Sequence, residues 1–126
     1  MVQQELHLVL VSNEPARAYP AIQLALGAAA MGHKVKVYAT TAGLDVVKKG
    51  TVDQIHFPGF PPLKQVLQDA IKMGVRVAAC APSADILKNL GVTKDTVVDG
   101  VVLEDVIGFL NEAFPAAQKG GVVTFI

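Results

Sequence analysis

The sequence predicts a three-layer α/β/α domain built on a mostly parallel five-stranded sheet. Three observations carry this expectation. Short Val- and Leu-rich runs alternate with longer helical patterns along the chain, the order that puts parallel strands in one sheet with helices on both faces. Hydrophobic residues make up 52% of the chain and charged residues 17%, which is ample material for a core and argues against disorder. The 126 residues suit a single domain over 1–126.

The elements follow in order. Leu6–Val11 reads as a buried strand. Ser12 or Asn13 is placed to cap the next helix, with Glu14 and Pro15 in its first turn. That helix runs to about Met31, and Gly32 stops it. It is apolar or small nearly all the way round, so it needs cover on more than one side, from the sheet and from a partner subunit. Lys34–Thr40 is the second strand. Thr41–Gly50 is a short helix with Thr41 as its cap and two lysines at its C-terminal end, the favourable end for cations. Thr51–Pro62, with Pro58, Gly59, Pro61 and Pro62, has no period and reads as a loop.

Leu63, Val66, Leu67, Ala70 and Ile71 recur at helical spacing, and Gly74 ends that helix. Val75–Cys80 is the third strand and Ser83–Leu90 a short helix. A brief strand falls at Thr96–Val98. Leu103, Val106, Ile107, Leu110 and Phe114 spell another amphipathic helix, broken by Pro115, Gly120 and Gly121. Val122–Ile126 is the last strand.

Charge and composition exclude several function classes. Lys+Arg and Asp+Glu both number 11, and no basic stripe stands among aromatics, so nucleic-acid binding has no electrostatic support. The longest uncharged run, Ala18–Gly32, is too short to span a membrane, and the N-terminal stretch reads as a strand rather than a leader. The first turn after Leu6–Val11 lacks glycine, which removes both the P-loop and the dinucleotide fingerprint. No two histidines are spaced as metal ligands, and one cysteine makes no zinc site. No cofactor is expected. The single cysteine points to a reducing, cytoplasmic setting, and zero net charge favours association into an oligomer.

The chemistry concentrates at strand exits, where ligands bind in open parallel sheets. Three exits carry polar or nucleophilic side chains: Ser12–Asn13, Thr40–Thr41 and Cys80–Ser83. His56, in the Pro-rich loop, is placed to fold over them. Cys80 is the candidate nucleophile of intrinsic strength. Pro82 suits the first turn of a following helix, whose free N–H groups would face the sulfur and favour a thiolate. Ser83 is placed to hydrogen-bond the sulfur or cap that helix, and Asp85 to cap or face away. The other reading of Cys80 is a small apolar residue filling the core. Both stand on the residues alone.

Four blocks in order, "AIQLALGAAAMGHKVKVYATTAGLDVVKK", "GVRVAACAPSAD", "LGVTKDTVVDGV" and "LEDVIGFLNEA", resemble the DsrE/DsrF-like proteins of sulfur relay. The sharpest piece is C-x-x-S-x-D, here Cys80, Ser83 and Asp85. The resemblance implies the same three-layer fold and a homo-oligomer, a trimer or hexamer. It implies that Cys80 carries sulfur as a persulfide between donor and acceptor proteins. The chain lacks the second cysteine that several relatives have, so any relay would run between proteins. The alternative within the same fold is a non-catalytic ligand-binding or assembly subunit.

Overall fold

In the computed structural model, residues 2–81 and 89–126 are described. Five strands form one sheet: β1 (Glu5–Leu10), β2 (Lys34–Ala39), β3 (Arg76–Cys80), β4 (Val102–Glu104) and β5 (Val122–Phe125). Their order is β4-β3-β2-β1-β5 and every strand pairing is parallel. The expected fold class holds. The expected strand at Thr96–Val98 does not form. Val97 makes only an isolated antiparallel bridge to Lys48, and the fourth strand is Val102–Glu104, which carries Leu103 into the sheet instead of a helix.

The helices among the described residues are α1 (Pro15–Ala30), α2 (Leu44–Val47), α3 (Leu63–Lys72) and α4 (Val106–Gln118). The chain steps from β1 to β4 in one direction and then returns to the far side of β1. Right-handed crossovers put helices on one face during the outward steps and on the other face for the return. That rule explains why α1 and α3 pack with Leu8, Leu10, Val37 and Val77 on one face. It also explains why α4, alone among the described helices, packs on Val9, Tyr38 and Ala78 on the other.

Several boundaries differ from the sequence reading for local reasons. Glu14 is the N-cap of α1, with Pro15 at its start, and no side chain caps it. Ser12 instead accepts from the Glu14 N–H at 3.0 Å. The segment after β2 is a 3-10 turn, Thr41–Gly43, followed by one α turn, and Thr41 caps nothing. Pro115 lies inside α4 rather than ending it. Asp105 caps α4 by accepting from the Gly108 N–H at 2.7 Å. The expected helix at Ser83–Leu90 lies mostly outside the described residues. Among the described residues no helix is long and apolar enough to cross a membrane.

Candidate functional site

Cys80 closes β3 and pairs in register with Glu104 of β4. Side chains alternate along a strand. Val77 and Ala79 therefore turn toward α1 and α3, while Ala78 and Cys80 turn toward α4. Cys80 packs there with Val9, Tyr38, Phe109 and Ala113 and is 7% exposed. Of the two placements the residues left open for this thiol, the structure has the covered one, because α4 lies over this face. Pro82, Ser83 and Asp85 fall outside the described residues, as does any helix N-terminus they would form.

Tyr38 is the polar neighbour of the thiol. Its ring stacks on Phe109 with centroids 4.7 Å apart, and its hydroxyl donates to the Glu104 carbonyl at 3.3 Å. Burial above all, with the neighbouring Cys80 adding to it, pushes the phenol pKa above its usual range.

A second cluster forms where β1 and β2 end. The Asn13 side-chain amide donates to Asp45 at 2.9 Å. The Thr40 N–H donates to the Leu10 carbonyl at 3.0 Å, and the Thr41 hydroxyl donates to the Thr40 carbonyl at 2.7 Å. Thr41 has φ +53°, a left-handed conformation unusual for a β-branched residue. A polar hollow of about 330 Å³ lined by Asn13, Glu14, Asp45, Thr51 and Gln54 opens beside it. Asn13 is tied to Asp45 at this end of the sheet, while Thr40 and Thr41 sit together just past β2, Thr40 following Ala39, the register partner of Ala79. No hydrogen bond among the described residues joins this cluster to Cys80. His56 is exposed in the loop after Ile55, and none joins it to either cluster.

The sequence reading missed a charged row beneath α4. His7, Lys36 and Arg76 are register neighbours across β1, β2 and β3 on the Cys80 face. Lys36 is 2% exposed. Its ammonium lies 2.5 and 2.7 Å from the two Glu104 carboxylate oxygens and 3.2 Å from Glu112. Arg76 also meets Glu112, at 2.6 Å. Burial raises the Glu112 pKa, but hydrogen bonds from Arg76 and Lys36 outweigh it, so this carboxyl lies below its ordinary range. His7 is buried, and its Nδ1 has no hydrogen-bond partner among the described residues. The available signal was parity: Lys36 sits between two valines in "KVKVYA" on the same side as Tyr38. Alternation by itself suits a face in water as well as one under a helix, and here α4 covers the Lys36 side.

The DsrE/DsrF-like family model matches residues 7–118. The uncharacterized protein MJ0760 of Methanocaldococcus jannaschii is 26% identical over 95 residues, which is 75% of this chain and 34% of that protein. The chain thus spans about a third of the length of that relative. The crystal structure of the ychN protein from E. coli superposes with a TM-score of 0.69 at 15% identity, over 98% of this chain and all of that one. That likeness is one of fold.

Proposed function

The chain belongs to the DsrE/DsrF-like family, whose members are generally proteins of sulfur relay, and on that premise we propose that Cys80 takes up sulfane sulfur as a persulfide and passes it on. The observation that carries this reading is the position of the chain's only cysteine, at the C-terminal end of β3 and in one buried cluster with Tyr38. Strand ends of this kind are where open parallel sheets bind ligands.

The transfer balances without an added oxidant. The Cys80 thiolate attacks the terminal sulfur of a donor persulfide. A new S–S bond forms on Cys80, the donor's S–S bond breaks, and the donor departs as a thiolate. An acceptor thiolate then attacks the terminal sulfur on Cys80 and leaves Cys80 as the thiolate. With a single cysteine both partners are other molecules, so the chain works between donor and acceptor proteins. Asn13, Thr40 and Thr41 orient the incoming group at the neighbouring exits, with Ser83 and His56 as further orienting residues. The reading includes a cytoplasmic, reducing setting, in which a lone thiol stays free.

The reading also includes a homo-oligomer, a trimer or hexamer. Its support lies on α1, where Leu24 is exposed, and on α4. Ile107 and Phe114 stand exposed on the outward side of α4, and Phe125 stands exposed on β5. A helix apolar on both sides needs cover on both.

The second reading, a non-catalytic ligand-binding or assembly subunit, is favoured by the burial of Cys80, since covered cysteines are often inert. Intact mass spectrometry after incubation with a low-molecular-weight persulfide separates the two. Wild type is expected to gain one sulfur atom, and Cys80→Ser none. No gain on wild type, or equal gain on the serine variant, leaves the assembly reading in place.

A further inference from the structure

We propose that the Tyr38 hydroxyl is the hydrogen-bond donor that steadies the Cys80 thiolate, its single proton turning from the Glu104 carbonyl to the sulfur when the thiol ionises. The inference rests on the reading of Cys80 as the working thiol and adds a positioning residue to it.

The geometry supplies each part. Tyr38 and Cys80 share the cluster under α4, and Glu104 lies beside both, as register partner of Cys80 and as acceptor for Tyr38. The Tyr38–Glu104 contact of 3.3 Å is long for an O–H donor, which usually sits at about 2.7–2.8 Å. The same carbonyl already accepts from the Ala81 N–H at 2.9 Å. It therefore loses little when the phenolic proton turns away. A thiolate is the better acceptor, because hydrogen bonds to an ionised group are roughly twice as strong as neutral ones. The stack on Phe109 holds the ring in place, so little ordering remains to be done when the charge appears.

The charges facing the thiol make this donor matter. On β4 the Glu104 carboxylate is engaged by Lys36 of β2, and on α4 Asp105 caps the helix while Glu112 holds Lys36 and Arg76. β1 contributes Val9 to the cluster. Glu104 and Asp105 are acids whose charge opposes ionisation of the Tyr38 phenol itself. Tyr38 is the neutral donor among the described residues of the cluster. The raised phenol pKa keeps its proton in place through the range where a thiol ionises, about 8.5 in the reference state.

The test is the ionisation of Cys80, followed by thiolate ultraviolet absorbance and by iodoacetamide alkylation rate against pH, with Cys80→Ser as the blank. Tyr38→Phe keeps the stacked ring and is expected to raise the midpoint by about one unit, with roughly tenfold slower alkylation at a fixed pH below it. A second probe replaces both tyrosines with 3-fluorotyrosine, a more acidic and stronger donor. It is expected to lower the midpoint; Tyr19 bonds elsewhere, to the Pro61 carbonyl. Unchanged midpoints in both proteins, or no titration of Cys80 in folded wild type, overturn the proposal. Sulfur loading that persists with unchanged midpoints removes the Tyr38 role and keeps the relay. Shifted midpoints with no sulfur loading do the reverse.

Discussion

A methyl group has no room at residue 43. Gly43 is buried against the end of β1, and a Cβ there would run into the Leu10 carbonyl. Backbone cannot move aside as a flexible side chain can, so Gly43→Ala is expected to cost at least about 2 kcal/mol. Gly27, inside α1, has open space around the same position, and Gly27→Ala is expected to gain about 0.5–1 kcal/mol. Urea unfolding midpoints of the two variants, moving in opposite directions, check both. At this scale the sequence disclosed where Cys80 stands, because an apolar run ending before a proline marks a strand exit. It did not disclose that the sulfur is covered. That depends on α4, whose docking face involves residues far along the chain. Lys36 was hidden for the same reason: a lysine in an alternating strand reads as wet unless something is known to lie over it.

α4 is the element the sequence described least well. Leu103, Val106, Ile107, Leu110 and Phe114 do repeat at helical spacing, yet Phe109, Ala113 and Ala116 are the residues buried against the sheet. Phe114 is 66% exposed. Apolar residues occupy both sides of this helix, so spacing alone cannot choose the inward one. β4, only three residues long, was absorbed into the helical pattern for want of a period of its own. α3 was plain because its apolar stripe has charged and polar residues opposite. The charged row gives α4 an acid sensitivity. Glu112 has its pKa lowered from the ordinary 4.5, so its contribution to stability is present above about pH 4.5 and is lost as pH falls through the folded value. Glu112→Gln is expected to flatten the acid side of the melting-temperature profile, measured between about pH 3 and pH 7. A profile parallel to wild type would show that the Lys36–Glu112–Arg76 contacts contribute nothing there.

Over the whole molecule, the fold class was legible from alternation, because right-handed parallel connections leave few arrangements for this element order, whereas the fourth strand was expected at Thr96–Val98 and lies at Val102–Glu104. Strand order was not legible, since the return of β5 to β1 leaves no local mark. Among the described residues the two sheet faces are unequally covered, with α1, α2 and α3 on one and α4 on the other. Exposed Ile107, Phe114 and Phe125 lie on the thinner side. Ile107→Glu combined with Phe114→Glu is expected to lower the mass found by sedimentation velocity while the far-ultraviolet circular dichroism stays unchanged. An unchanged mass would place any contact between copies elsewhere. The β1–β5 pairing, Leu6 with Val122 through Val9 with Phe125, also bears on how the protein is made. As the nascent chain leaves the ribosome, β1 can pair with β2 early, but its other flank stays bare until residue 122 emerges. An unpaired strand edge invites foreign strands. Translation stalled short of β5 would therefore release a polypeptide with an adhesive seam, a natural client for a chaperone.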